Sequence, residues 1–264
     1  MKTFGDTEAA SVRLTWDAQG IARLTLHQPT LRNAVSRGMW RGLRAALAEI
    51  GAEPALRVVI LQGAEGDFSS GADLSEFLAL RSDPSATAAY NADVRAAVAA
   101  LAALAVPLVA EIRGVCMGAG LALVAQADLR VLAEDARLAI PAARLGVAYD
   151  PDWVTRLVTA SRPEFVAELI YAGRRLSGAE AVARGFAAAL APDAAVAQQV
   201  GDLAAAIARG APLTLRATKL ALAASTPEGA AAARQAARDC DESEDYRRAI
   251  AALGSKEQVE FRGQ

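Results

Sequence analysis

A chain of 264 residues, 53% of them hydrophobic, is long enough to bury the core of one domain together with a helical extension. The formal net charge is -2 and the basic residues are scattered. This excludes nucleic acid as the main partner, because phosphate binding needs a concentrated basic surface. Cys116 and Cys240 lie far apart without metal-ligand spacing, so we expect reduced thiols, a cytoplasmic location and no metal site.

The first residues, MKTFGDTEAA, contain acids where a signal peptide needs an apolar run. Further along, the apolar stretch 94–110 is interrupted by Arg95 and Pro107 and is followed by Glu111. It is too short to cross a bilayer, and it predicts a buried helix followed by a buried strand. We therefore expect no membrane span.

The first half of the chain alternates between strand and helix patterns. Residues 12–16 and 21–26 alternate around Asp17-Ala18-Gln19-Gly20, which indicates a hairpin. Ser36 is placed to cap a helix that runs to about residue 50. Further segments are strands at 58–61, 108–112 and 129–132 and helices at 90–104 and 120–127. Strands that alternate with helices predict an α/β fold of stacked β-α-β units.

Beyond Pro151 the pattern is almost wholly helical. The predicted helices are 153–160, 163–171, 177–184, 194–209, 212–223 and 228–248. We therefore predict an α/β core over residues 1–200 and a helical C-terminal region over 201–264.

Two short small-residue segments are candidate ligand contacts. Gly118-Ala119-Gly120 opens an apolar helix, and Ser69-Ser70-Gly71 forms a second predicted turn. Such turns leave backbone N–H groups bare and let a ligand approach, although each is also explained by a plain turn or by close packing. The glycine pattern lacks the features of a dinucleotide or phosphate loop, and no G-x-S-x-G is present. The single histidine, His27, ends a predicted strand before a proline, so we interpret it as structural or exposed.

Four segments, in order, resemble motifs of the enoyl-CoA hydratase/isomerase (crotonase) superfamily. They are HQPTLRNAV (27–35), GDFSSGADLSEF (66–77), RGVCMGAGLALVAQADLRV (113–131) and SEDYRRAIAALGSKEQVEFRG (243–263). The resemblance covers nearly the whole chain. It implies a crotonase-like core, a spiral of stacked β-β-α units, with a C-terminal helical region that forms a homotrimer or a dimer of trimers.

The resemblance also implies a site for an acyl-CoA thioester as substrate or ligand, with no covalently bound cofactor. The thioester oxygen would accept hydrogen bonds from the N–H groups of Ser70 and Ala119, because a developing oxyanion needs two donors aimed at one oxygen. An apolar acyl lining would come from Phe77, Leu78 and Leu80. The implied CoA contacts are Arg32, Ala34, Ser70, Ala72, Asp73, Leu74 and Lys256, the last reaching a CoA in a neighbouring subunit.

The two glutamates that hydratases of this family use are absent. Ala122 and Ala142 stand at those positions, and a methyl group cannot transfer a proton. Relatives with other reactions, such as dienoyl-CoA isomerases and aryl-CoA dehalogenases, carry an aspartate that aligns with Asp150. A family decarboxylase has a tyrosine that aligns with Tyr149. Weaker acid–base candidates are Glu111, Asp73 and Glu76, and the loop motif around Asp73 points to holding the loop or the CoA.

Asp150 also has a purely structural explanation. Asp150-Pro151-Asp152 is typical of an N-cap, a proline at the first helical position and an acid in the first turn. Capping alone and capping combined with acid–base chemistry both stay open. Three functions follow from the sequence: enolate chemistry such as a double-bond shift, a non-catalytic acyl-CoA carrier or sensor, and an interaction protein in an acyl-processing assembly.

Overall fold

The computed structural model describes residues 1–80, 83–254 and 259–264. Its main sheet has seven strands in the order β1-β2-β3-β4-β5-β7-β10, and β6, β8 and β9 form a second sheet. The strands are β1 Lys2–Phe4, β2 Ser11–Trp16, β3 Ile21–His27, β4 Val58–Gly63, β5 Leu108–Ile112, β6 Val115–Met117, β7 Leu129–Ala133, β8 Arg137–Ala139, β9 Leu176–Ser177 and β10 Ala189–Ala191.

A 3₁₀ turn at Pro29–Leu31 and a series of α-helices complete the chain. The helices are α1 Arg37–Ala52, α2 Leu74–Leu80, α3 Pro84–Ala102, α4 Ala119–Val124, α5 Ala142–Leu145, α6 Pro151–Ala160, α7 Pro163–Ile170, α8 Gly178–Ala183, α9 Asp193–Ala208, α10 Pro212–Ala223, α11 Pro227–Asp241 and α12 Glu244–Ala251. Within the described residues, no helix has the length and apolar character needed to cross a membrane.

The predicted hairpin is confirmed as β2 and β3, which pair antiparallel from Ser11↔His27 to Trp16↔Ala22. Asp17 closes its turn, because its Oδ1 accepts from the N–H groups of Gln19 and Ile21 at 2.9 and 3.1 Å. From β3 onwards each neighbouring pair in the main sheet, through β4, β5, β7 and β10, is parallel. Parallel strands need crossover segments, and these carry the helices that flank the sheet.

The core lies between this sheet and the helices packed on it. Helix α1 packs on β1 and β2, whereas α9 packs on β4, β5 and β7. Trp40, Phe68, Phe165 and Phe186 are the largest fully buried side chains. The predicted domain boundary at residue 200 falls inside α9, so the sheet-packed core extends to Ala208.

The structure adds detail to the almost wholly helical pattern predicted beyond Pro151. Two short strands interrupt the helices there, β9 at Leu176–Ser177 and β10 at Ala189–Ala191, and β10 joins the main sheet beside β7. The single helix predicted at 228–248 is two helices, because the Ser243 hydroxyl accepts from the Tyr246 N–H and starts α12 as its N-cap.

Candidate functional site

A buried asparagine holds the first bend of the site. Asn33 adopts a positive φ of 56° and has no exposed surface. Its side chain accepts from the Gln28 N–H at 3.0 Å and donates to the carbonyls of Ala64 and Asp67, each at 2.7 Å. Asparagine is among the few residues that tolerate this backbone conformation, and here its amide also ties the loop at 28–35 to the loop at 64–73.

The structure corrects the predicted oxyanion donor on this bend. The Ser70 N–H donates to the Arg32 carbonyl at 2.9 Å, so it is already occupied. Two residues later, Ala72 forms a parallel bridge with Val35, in which the Val35 N–H donates to the Gly71 carbonyl and the Asp73 N–H to the Val35 carbonyl. In such a bridge the N–H of Ala72 itself points away from its partner. In the described part of the chain no acceptor contacts the Ala72 N–H, and Ala72 lines a mostly apolar cavity.

The second bend carries Ala119. Gly118 has φ 48° and donates its N–H to the Ala139 carbonyl at 2.9 Å, and α4 begins at the next residue. The first N–H groups of a helix have no partner within the helix. Ala119 is one of these, no described acceptor contacts its N–H, and it lines the same cavity as Ala72.

Gly71 is where the two bends touch. It has φ 109°, and a Cβ built there would lie 3.1 Å from the Met117 carbonyl oxygen and 3.6 Å from the Ala119 nitrogen. Ser69 strengthens the contact, because its carbonyl accepts from the Met117 N–H at 2.9 Å. The requirement for glycine is therefore both conformational and steric, and it brings the amides of Ala72 and Ala119 to one end of the cavity.

The cavity has a volume of about 460 Å³ and mostly apolar walls. Besides the two bends, its lining comes from α1, from α3 and from the segment between Ile140 and Trp153. The lining includes Trp40, Leu74, Asn91, Val94, Arg95, Ala142, Val147, Tyr149 and Asp150. This size is within the range of small-molecule pockets.

Tyr149 is a neutral hydrogen-bond donor in this wall. Its hydroxyl donates to the Gly118 carbonyl at 2.9 Å, and its ring meets Trp153 edge-on with centroids 5.2 Å apart. Burial raises the pKa of Tyr149 well above 10, and the neighbouring Cys116 and Asp150 raise it further. The phenol therefore keeps its proton at neutral pH, and its contact fixes the bend that carries Ala119.

Asp150 caps α6 and lines the cavity at the same time. Its Oδ1 accepts from the Asp152 N–H at 2.9 Å, with Pro151 at the first helical position, so the predicted cap is confirmed. The side chain is half-buried, and Oδ2 makes no hydrogen bond to a described residue. It is the one carboxylate among the described lining residues. Its acid–base role remains a prediction.

The two alanines at which the resemblance implies glutamates differ in exposure. Ala142 lines the cavity, whereas Ala122 is fully buried within α4 and is not part of the lining. Neither residue offers an ionisable group, and no other carboxylate of the described residues reaches the cavity in their place.

The weaker acid–base candidates have structural partners or lie elsewhere. Burial alone would raise the pKa of Asp73, but hydrogen bonds from Ser75 and Gln28 outweigh it and hold the pKa below 3.8. Glu76 accepts from the Arg37 N–H at 2.6 Å and so caps α1. Glu111 is buried in β5 outside the cavity lining, where burial raises its pKa against the opposing effect of Arg23 and Arg113.

The predicted CoA contacts are only partly brought together. Ser70, Ala72 and Leu74 line the cavity, whereas Ala34 and Asp73 are buried behind the bend. Arg32 lies outside the lining with an exposed guanidinium, its Nε 3.8 Å from Asp67 Oδ2. Lys256 and the side chains of Phe77, Leu78 and Leu80 lie outside the part that the structure describes. His27 is half-buried at the end of β3, away from the cavity.

The site also contains residues that the sequence reasoning missed. Ala72 was assigned only to CoA, although its amide is the free one on the first bend. Asn91 and Arg95 project from α3 into the lining. The available signal for Arg95 was a lone charge within an apolar helical stretch.

The fold is that of the crotonase class. A solved enoyl-CoA hydratase/carnithine racemase from Magnetospirillum magneticum superposes with a TM-score of 0.90 at 30% identity, covering 99% of this chain and 98% of that one. A solved enoyl-CoA hydratase from Bacillus anthracis gives a TM-score of 0.89 at 25% identity, covering 96% and 99%.

The family model for enoyl-CoA hydratase/isomerase matches residues 17–263, and the chain belongs to that family. YngF from Bacillus subtilis (strain 168), which carries the family name, is 30% identical over 258 residues, covering 96% of this chain and 98% of YngF. EchA17 from Mycobacterium tuberculosis (strain ATCC 25618 / H37Rv), named as a probable enoyl-CoA hydratase, is 36% identical over 204 residues, or 76% of each chain.

Proposed function

We propose that this protein binds an acyl-CoA thioester with its carbonyl oxygen between the main-chain amides of Ala72 and Ala119. The observation that carries the proposal is that these two amides, unoccupied in the described chain, lie on touching bends and line one apolar cavity. Two preorganised donors stabilise the oxyanion of an enolate, and removal of one such donor costs about 3 kcal/mol of transition-state stabilisation. The names of the relatives support a CoA ester as the ligand.

The reaction that we propose is a double-bond shift within the acyl group. The Asp150 carboxylate takes a proton from the carbon next to the thioester carbonyl, in an acyl group whose double bond lies one carbon further out. The electron pair of that C–H bond moves to the carbonyl oxygen and gives a dienolate. The protonated Asp150 then returns the proton to a different carbon, so no atom is gained or lost. Tyr149 assists by fixing the Gly118 carbonyl, and with it the amide of Ala119.

Ordinary hydration does not fit this site. Adding water across a double bond needs a base for the water and an acid for the neighbouring carbon. Ala122 and Ala142 supply neither. Asp150 is a single carboxylate in the described lining, whereas hydration needs a pair of acid–base groups.

A non-catalytic acyl-CoA carrier or sensor is the second candidate. The hydrogen bond from the Asp152 N–H to Asp150 favours it, because that bond explains the aspartate without chemistry. A carrier would bind acyl-CoA at micromolar or lower Kd and turn over no thioester in a broad panel.

We further propose that the protein assembles as a homotrimer or a dimer of trimers through its C-terminal helices. In support, α10 buries no residue within the single chain, and Leu222 and Leu253 are 79% and 75% exposed. Light scattering coupled to size-exclusion chromatography measures the mass of the assembly directly. The free thiols Cys116 and Cys240 support the cytoplasmic location that we infer.

The thioester proposal is tested by closing the contact between the bends. In Gly71→Ala the new Cβ meets the Met117 carbonyl, which displaces the Ala72 amide. Gly66→Ala is the matched control, because Gly66 also has a strained positive φ, 89°, but has open space around the new Cβ. We expect wild type and the control to bind butyryl-CoA in calorimetry, and Gly71→Ala to lose at least about tenfold in affinity.

Crystals soaked with butyryl-CoA give the direct readout. We expect the thioester oxygen within hydrogen-bond distance of both nitrogens, Ala72 and Ala119. A carbonyl oxygen elsewhere, or wild-type protein that binds no CoA ester, would overturn the proposal.

A further inference from the structure

The described cavity lining contains one cation, Arg95, and one anion, Asp150. Arg95 lies on α3, and its exposed side chain makes no ion pair or hydrogen bond with any described residue. The two charges do not neutralise each other through an ion pair. Arg95 therefore places an unused guanidinium on the wall of an otherwise apolar cavity.

The surrounding arginines show that this is not a general property of the region. Arg37 and Arg41 on α1 both donate to Asp93 on α3, at 2.7 and 3.0 Å. Arg95 follows Asp93 by two residues, and residues at that separation do not face each other on a helix. Asp93, the nearby carboxylate on α3, therefore pairs with the two arginines of α1 and not with Arg95.

Asn91 lies one helical turn before Arg95 and lines the same cavity. Residues four apart lie on one face of a helix, so the side-chain amide and the guanidinium are neighbours. A guanidinium presents two parallel N–H groups that match the two oxygens of a carboxylate, and an amide adds a further donor. Val94 and Trp40 contribute apolar surface to the same wall, which suits the hydrocarbon part of an acyl group.

We propose that Arg95, together with Asn91, selects an acyl-CoA whose acyl group carries a carboxylate away from the thioester. The proposal rests on the proposed function, since the amides of Ala72 and Ala119 must hold the thioester oxygen. Because Asp150 also lines the cavity, a second anion there needs a cation to offset the repulsion, and Arg95 is that cation in the described lining. The CoA phosphates are the other possible source of negative charge for Arg95.

The test compares thioesters of equal carbon number. Calorimetry measures the Kd of glutaryl-CoA, pentanoyl-CoA and free CoA, with succinyl-CoA and butyryl-CoA as a shorter pair, for wild type and Arg95→Met. Arg41→Met is the matched control, because it removes the same charge from the neighbouring helix without touching the cavity. Arg95→Lys keeps the charge but loses the two-pronged geometry.

We expect wild type and Arg41→Met to bind the carboxylated member of at least one pair about tenfold more tightly. Arg95→Met removes that preference and leaves the Kd of the uncharged ester within about twofold, and Arg95→Lys recovers part of it. Equal loss for every thioester and for free CoA would assign Arg95 to the CoA phosphates and overturn the proposal. Tight binding of uncharged esters with no preference in either pair would overturn it while the proposed function stands. Failure of wild type to bind any thioester would overturn both.

Discussion

The hydroxyl of Tyr149 donates a hydrogen bond, 2.9 Å long, to the carbonyl oxygen of Gly118, the residue before Ala119. The orientation of a peptide unit fixes its carbonyl and the following N–H together. Holding the Gly118 carbonyl therefore also holds the Ala119 amide.

Tyr149→Phe keeps the ring contact with Trp153 and removes only this hydrogen bond. We expect unfolding in urea to show a loss of about 1 kcal/mol, because the Gly118 carbonyl loses its donor. The affinity for butyryl-CoA should fall about fivefold to tenfold as the Ala119 amide becomes less well positioned. Tyr171→Phe is the control, since Tyr171 is 84% exposed. Unchanged affinity in Tyr149→Phe would show that the bend is rigid without the phenol.

Asp150 permits a clean separation of capping from proton transfer. Asparagine caps a helix about as well as aspartate, so Asp150→Asn should keep the bond from the Asp152 N–H and most of the stability. Asp150→Ala should lose about 1 kcal/mol with the cap. We expect both variants to bind acyl-CoA and neither to shift a double bond, measured by the ultraviolet absorbance of conjugated thioesters. Turnover by Asp150→Asn at the wild-type rate would remove Asp150 from the mechanism.

Local patterns in the sequence were enough to predict much of the fold. The β2–β3 hairpin and the caps Ser36 and Asp150 depend on contacts within a few residues, and the structure confirms all three. The separate start of α12 at Ser243 was also encoded locally, as a serine followed by two acids. Its signal was outweighed by the alanine-rich helical pattern on either side.

The identity of the free amide on the first bend could not be obtained in this way. Whether Ser70 or Ala72 is free depends on the pairing of the bend with Arg32 and Val35, more than thirty residues earlier. The motif located the bend, but hydrogen-bond partners that distant in sequence are set by tertiary packing. The same holds for Arg95, which belongs to the site because α3 packs beside α1.

Glu111 provides a pH dependence with a defined sign. Burial raises the pKa of this carboxyl above its ordinary 4.5, and Oε2 has no partner among the described residues. The folded state therefore favours the protonated form, and this contribution is complete below pH 4.5 and is lost as pH rises through the folded-state pKa. Glu111→Gln should match wild type in acid and become more stable than wild type as the pH increases.

Guanidinium unfolding between pH 4 and pH 8 measures this difference. Glu180→Gln is a control of opposite sign, because hydrogen bonds from the Ser177 backbone and hydroxyl lower the pKa of Glu180. Its contribution is present above the unfolded-state pKa and is lost as the pH falls through the folded-state value. A constant difference between Glu111→Gln and wild type across this range would contradict the burial effect.

Two arginines hold the end of α4 opposite Ala119. Arg130 donates to the carbonyls of Ala127 and Phe186 at 2.7 and 2.5 Å, and Arg156 donates to the Ala125 carbonyl at 2.9 Å. Burial lowers the pKa of Arg130 to about 10, so the guanidinium is still charged at neutral pH. It also lies over the Phe186 ring, 5.1 Å from the centroid.

Arg130→Met should therefore cost about 2–4 kcal/mol, because several buried carbonyls lose a charged donor and the contact with the ring is lost. Arg156→Met removes fewer bonds and should cost about 1 kcal/mol. If the loss of these hydrogen bonds shifts α4 and with it Ala119, folded Arg130→Met should also bind butyryl-CoA less tightly at a temperature well below its Tm. Loss of stability with wild-type affinity would show instead that the bend at Gly118 isolates the amide from the far end of its helix.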